Sequence, residues 1–196
     1  MQPPRKHVVS VSPGSSQRDS YIETEILGTP ILLERRGTDG DMPKAAQLIE
    51  DLDGKVDAFG LGGMDLFLQA AGRRYYMRDG VRLARHAKKT PMVCGAGLKD
   101  TLERIVVKDL DKTIHWQGKK VLMVSAVDRF GMAEALAEAG ADVLYGDIIF
   151  SLHVDVPLRS LKTLARTARV LLPIISKLPI SWLYPVGKDQ EKTIQD

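Results

Sequence analysis

Four loops of this chain carry residue types and spacings that could do chemistry, and each follows a strand-like run. In the first, Ser10-Val11-Ser12 precedes Pro13-Gly14-Ser15-Ser16-Gln17-Arg18. Hydroxyls on Ser10, Ser12 and Ser16 beside the Arg18 guanidinium suit a substrate carboxylate or phosphate, because guanidinium binds such oxygens in a bidentate way. The same hydroxyls could instead bond the turn's own backbone. In the second, Gly60-Leu61-Gly62-Gly63-Met64-Asp65, glycines free the backbone to approach a ligand or to make a tight turn. The third is Cys94-Gly95-Ala96-Gly97-Leu98-Lys99-Asp100-Thr101. A Gly-x-Gly turn there enters a helix N-terminus, where unsatisfied N–H groups and the helix dipole favour anions. Cys94 would be a nucleophile if that helix end stabilised its thiolate, and a packing residue otherwise. The fourth runs from Ser125 to Gly131 and places Asp128 and Arg129 together as an acid and base that could orient a polar group.

The elements that must position these loops read most clearly between Gly118 and Asp147. Val121 to Ser125 (VLMVS) is a short apolar run without a turn residue, as for a strand buried on both faces of a parallel sheet. Met132 to Ala139 is built of strong helix formers, and Gly140 stands where a helix C′ residue belongs. Ala141 to Tyr145 then restarts a strand. This is a βαβ unit, whose ligands bind beyond the carboxyl ends of the strands. Ser125 to Gly131 and Asp147 therefore share one mouth. Asp147 follows Ser125 by 22 residues, near the roughly 20-residue offset at which a carboxylate meets a nucleotide ribose.

Upstream, His7 to Ser12 reads as a first strand. Tyr21 to Leu27 and Pro30 to Arg36 read as a hairpin around Gly28-Thr29. Asp41 is an N-cap candidate for a helix over Met42 to Leu52. A strand over Val56 to Leu61, a helix over Asp79 to Lys88, a strand over Thr90 to Cys94 and a helix from Leu98 to about Asp109 follow. This alternation predicts an α/β fold, a Rossmann-like three-layer sandwich with a mostly parallel sheet and an N-terminal β-hairpin. The break at Asp111 to Gly118 suggests an N-terminal lobe over 1–110 with the Gly-rich loops. A C-terminal part over 111–196 would hold the βαβ unit and the tail, unless the two form one continuous domain.

The tail has its own character. From Pro157 to Lys188 there is no acidic residue. On a helix, Arg159, Lys162, Arg166 and Arg169 share one arc, and Leu158, Leu161, Ala165, Ala168 and Leu172 share the next. Pro173 is expected to end or kink that helix. The tail reads as a helix docked on the sheet with a solvated basic face, or as a membrane-surface helix or subunit contact.

The chain has 196 residues, a formal net charge of +3 and 44% hydrophobic residues. That is ordinary for a globular protein and gives no nucleic-acid signature. The lone Cys94 allows no intramolecular disulfide, which points to a reducing compartment. No secretory leader and no run of 18 apolar residues is present, so the expectation is a cytoplasmic protein without a transmembrane segment. No metal site is expected, since His7, His86, His115 and His153 are widely spaced. The apolar tail points to a homo-oligomer.

The segments VVSVSPGSSQRD, ERRGTDGD, DAFGLGGMDLFL, GAGLKDTLER and VLMVSAVDRFGMAEALAEAG together resemble a bacterial family of Rossmann-like proteins commonly labelled quinate 5-dehydrogenase. The resemblance extends to about Lys188. It implies an NAD- or NADP-dependent oxidoreductase acting on a small hydroxy-acid such as quinate. In shikimate and quinate dehydrogenases a Ser-x-Ser near the first strand holds the substrate carboxylate, and Ser10-Val11-Ser12 is similar in type and place. The Asn-Val-Thr-x-Pro-x-Lys segment of those enzymes has no counterpart here. Lys99 and Asp65 are the pair that could polarise a ring hydroxyl in its stead. On this reading Ser125, Asp128, Arg129, Gly131, Asp147, Gly95 and Gly97 hold the cofactor, and Ser10, Ser12, Ser16, Arg18, Gly62 and Gly63 hold the substrate. Two other classes stay open. One is a cofactor-free racemase or lyase using Cys94; the other is a non-catalytic protein that binds a nucleotide or metabolite.

Overall fold

Alternating valines in the first strand set the plan of the N-terminal half. Val9 and Val11 are fully buried, whereas Val8 and Ser10, which alternate with them, are only half-buried. This is the period-2 signature of a strand covered better on one face than on the other. The computed structural model describes residues 3–183, and the chain forms two compact units. The first comprises Met1–Leu66, Met77–Cys94 and Lys177–Asp196; the second comprises Phe67–Tyr76 and Gly95–Ser176.

The first unit begins with β1 (Lys6–Ser12), β2 (Ser20–Ile26), β3 (Thr29–Gly37), α1 (Met42–Leu52) and β4 (Ala58–Leu61). The chain then leaves for β5 (Phe67–Ala70) and β6 (Arg73–Tyr76) of the second unit, and returns as α2 (Arg78–Ala84) and β7 (Met92–Val93). The sheet order is β2-β3-β1-β4-β7. All neighbours are parallel except the β2–β3 hairpin. The hairpin turns on Leu27 and Gly28, both left-handed with φ of 51° and 77°. That is the primed geometry two-residue loops require. Pairing of Ile26 with Thr29 thus moves the turn one residue ahead of the expected Gly28-Thr29.

Helix α1 starts where the sequence predicts. Asp41 caps it, its carboxylate accepting from Lys44 N–H at 2.9 Å. Ala45 and Ile49 of α1 and Leu83 of α2 are buried with Val9, Val11, Phe59 and Leu61 of the sheet. Each large side chain so buried is worth about 1.5–3 kcal/mol. Both helices pack side by side on this one face. The connection from β1 to its parallel neighbour β3 is β2 rather than a crossover helix.

In the second unit β5 and β6 form a hairpin whose turn residues Ala71 and Gly72 are again left-handed. Then come α3 (Ala96–Asp100), α4 (Leu102–Ile114), β8 (Lys120–Met123), α5 (Phe130–Glu138), β9 (Asp142–Tyr145), α6 (Asp147–Leu152) and α7 (Leu161–Ile175). A last turn, α8 (Ile180–Leu183), belongs to the first unit. Strands β8 and β9 are parallel and joined by α5, as the βαβ reading requires. Gly140 after α5 is left-handed at φ 79°.

The chain is thus a mixed α/β protein with a mostly parallel sheet in its first unit. Three local expectations change. Strand β8 ends at Met123 and is not buried on both faces: Leu122 and Val124 are 54% and 51% exposed, because β9 is its one neighbour and α5 covers one side. The single helix expected from Leu98 is two, broken at Thr101, and α4 runs on to Ile114. Pro173 does not end α7, which continues to Ile175. The 111–118 segment lies inside the second unit. Trp116 turns back to donate its indole N–H to Val107 O at 2.9 Å, and Gly118 N–H donates to Gly140 O at 2.8 Å. Among the described residues no helix is long and apolar enough to cross a membrane.

Candidate functional site

The mouth of the β8–α5–β9 unit gathers the residues expected there, and the protein itself occupies it. Asp147 opens α6 and accepts from Val127 N–H of the β8–α5 loop at 2.8 Å. Burial pushes its carboxyl above the ordinary aspartate value, against the pull of the Val127 and Ala126 N–H groups. Its Oδ2 is buried without a hydrogen-bond partner. Asp128 is held by Lys99 of α3, whose Nζ donates to both oxygens at 2.7 and 3.0 Å. Arg129 pairs with Glu103 of α4. Burial raises the Glu103 carboxyl above the usual glutamate range, while Arg129 and Lys99 oppose this and Asp128 adds to it. Its Oε2 is likewise buried and unpartnered.

Gly131 completes this closure. A Cβ at Gly131 would stand 3.0 Å from Lys99 O, from Asp100 Cα and from Arg104 Nε. The glycine serves a close approach, but of α3 and α4 rather than of a ligand. Gln69, Asp100, Arg104 and Glu134 tie β5, α3, α4 and α5 into one polar network. The cavity left between Gln69, Lys99, Asp128 and Phe130 is about 10 Å³, room for one water. Gly95 and Gly97 are exposed, and a Cβ on either would meet nothing within 4 Å. Ser125 lies in the loop that follows β8. As folded, α3 and α4 stand against the first turn of α5, with Lys99 O and Asp100 Cα where a Cβ on Gly131 would point.

In the first unit the serine-rich loop is stapled to the loop after β3. Ser12 Oγ accepts from Gly14 N–H at 3.1 Å and from Arg35 Nη2 at 3.2 Å, and Ser12 is 2% exposed. Ser15 Oγ caps a single 3-10 turn by accepting from Gln17 N–H at 3.2 Å. Ser16 N–H donates to Asp39 at 2.7 Å. Arg18 is exposed at the end of that turn, and the guanidinium beside Ser12 belongs to Arg35. Ser10, half-buried, stands between Arg35 and Gly60 in the register of three parallel strands. Gly62 and Gly63 bring the β4 loop over these serines. Their Cβ atoms would lie 2.7 Å from Ser10 Oγ and 2.8 Å from Ser12 Oγ. Ser10, Ser12, Gly62 and Gly63 are thus brought together, largely as a fastening of the strand ends. Asp65 follows in the same loop, and its carbonyl oxygen packs where a Cβ on Gly80 would come within 2.5 Å. Lys99 belongs to the second unit and Asp65 to the first. Cys94 follows β7 and packs, partly buried, against the first unit's hydrophobic cluster.

The concavity with room for a metabolite was not foreseen. A groove of about 600 Å³ lies on the helix side of the first unit. Pro13 and Gly40, from the loops at the carboxyl ends of β1 and β3, line one end. Met42, Leu83 and Ile180 supply apolar walls, and Arg78, Arg82 and His86 supply polar ones. The last three recur at i, i+4 and i+8 along α2 and its extension, hence on one face. Their spacing is legible in the sequence, but it reads as an ordinary solvated helix face until α1 is set beside it. The lining carboxylate, Asp79, is spent: it accepts from Ile180 N–H at 2.8 Å and pairs with Arg78 at 3.1 Å. His86 Nδ1 lies 2.8 Å from Glu50 Oε1 of α1. Among the described residues no cluster of His, Cys, Asp or Glu is placed to hold a metal ion.

Fold and site define an α/β protein of two units with a cationic groove near the carboxyl edge of a mostly parallel sheet. Residues 97–196 match the family described as Domain of unknown function (DUF8754), just over half of the chain, and the chain belongs to that family. Residues 7–94 match a second family, described as Domain of unknown function (DUF8753). The second of these matches ends at Cys94, after which the chain passes into the second unit at Gly95. No curated protein and no solved structure matches the chain.

Proposed function

We propose that this protein binds a small anionic metabolite in the groove between α1 and α2. The ligand carries a carboxylate or phosphate on a small carbon framework; a hydroxy-acid of the quinate type meets that description. The observation that carries the reading is the groove's charge. Arg78 and Arg82 line a cavity of about 600 Å³ whose one lining carboxylate, Asp79, meets Arg78 at 3.1 Å and Arg82 at 4.0 Å, so the lining keeps an excess of positive charge. Arginine binds carboxylate in a planar, two-pronged way that apolar walls strengthen by excluding water. The setting near the carboxyl edge of parallel strands is where open α/β sheets take ligands.

The test is thermal unfolding with quinate, with its methyl ester and with no ligand. A ligand at about 100 times its dissociation constant adds roughly 2.7 kcal/mol of stability. The acid is expected to raise the unfolding temperature and the ester to leave it unchanged. Equal shifts with both would remove the anion-binding reading.

A second reading is oxidation of that acid with NAD or NADP, in a Rossmann-like protein. It draws on the β8–α5–β9 unit, with Asp147 and the 125–131 loop at one mouth. It demands that α3 and α4 leave the mouth, breaking the Lys99–Asp128 and Arg129–Glu103 pairs. On that reading Lys99→Ala strengthens the stabilisation by NAD or NADP. No response of either wild type or variant to nucleotide would sink it.

A further inference from the structure

The outward face of α7 has no task in the groove. Its inward face, Leu164, Ala168 and Leu172, is 0%, 1% and 3% exposed and belongs to the core of the second unit. The opposite face presents Lys162, Arg166 and Arg169, with Arg159 just ahead of the Ser160 cap, and all four are exposed. None of the four is engaged by a carboxylate among the described residues. No acid occurs between Pro157 and Lys188 that could neutralise them locally, and Lys188 itself lies outside the described residues. Val170 and Ile174 share that face, 67% and 62% exposed, next to Pro173. At 1.5 Å per residue the helix presents this mixed stripe over roughly 22 Å.

We propose that α7 docks the protein on an anionic lipid bilayer, lying in the plane of the headgroups. Cations alone would suit any polyanion. Bare β-branched aliphatics set among them suit a surface that rewards charge and apolar contact at once. Arg159, Lys162, Arg166 and Arg169 meet headgroup phosphates, and Val170 and Ile174 enter the acyl boundary. A nucleic-acid backbone would leave those two side chains with nothing to contact, and this stripe has no aromatic ring on which a base could stack. The helix needs no refolding to act, because its other face is already held.

The experiment is co-sedimentation of the full chain with phosphatidylserine–phosphatidylcholine vesicles and with phosphatidylcholine vesicles. Binding to the anionic vesicles alone, weakened by salt, is the expected result. The exposed double variant Arg166→Glu/Arg169→Glu should lose at least about tenfold in affinity with an unchanged unfolding temperature. Val170→Ser/Ile174→Ser should weaken binding while leaving its salt dependence intact. The inference is overturned by no binding, by equal binding to both vesicles, or by a DNA duplex displacing the protein from them. Insensitivity to the Val170/Ile174 substitutions would overturn it as well.

Discussion

Glycines that look alike in the sequence differ in what surrounds them. Gly131 fits between Lys99 O and Asp100, whereas Gly97 faces open space. Replacing Gly131 by alanine adds a methyl group to a filled gap, costing about 1–3 kcal/mol, offset by about 1 kcal/mol of helix propensity. Gly131→Ala is therefore expected to destabilise the protein by up to about 2 kcal/mol in urea unfolding. Gly97→Ala should be neutral or stabilising by up to about 1 kcal/mol. Asp147 makes a second residue-scale prediction. Its folded-state pKa is raised, burial being the main cause. The folded chain then holds that proton more tightly than the unfolded chain. This contribution to stability is complete below the ordinary carboxylate pKa, about 4, and is lost as pH rises through the raised value. Asp147→Asn removes the group, so its stability profile lacks that loss. Parallel profiles for the two proteins would show that the carboxyl is not perturbed.

At the scale of elements, boundaries with a cap or a punctuating residue were legible and the rest were not. Asp41 and Gly140 marked the start of α1 and the end of α5 correctly, since each satisfies or terminates the backbone locally. Removing the cap with Asp41→Ala should cost about 1 kcal/mol, read as a lower urea midpoint. The β5–β6 hairpin escaped notice because its Ala71-Gly72 turn lacks the usual Asn or Asp, and its strands carry Arg73 and Arg74 in place of an apolar alternation. The break at Thr101 was equally silent, set by packing of α3 and α4 on α5. The candidate site was half legible. Sequence offsets brought Asp147 to the β8–α5 mouth and the Ser10, Ser12, Gly62 and Gly63 group to one strand edge. They could not say that Lys99, Glu103 and Arg35 would fill those places, because such partners come from other elements.

At the scale of the molecule, function follows from which concavity stays open. The second unit closes its βαβ mouth with its own α3 and α4. The first unit leaves a groove whose unspent charge is positive. Arg78, Arg82 and His86 acquire meaning there because α1 stands opposite α2, a relation no local pattern encodes. The most direct test is calorimetric titration of quinate into the wild type and into Arg78→Gln/Arg82→Gln. Loss of charge-assisted bonds worth about 1.5–3 kcal/mol predicts an affinity at least about tenfold weaker in the variant, with its fold intact by circular dichroism. Equal affinity in the two proteins, or no binding by the wild type, would contradict the account.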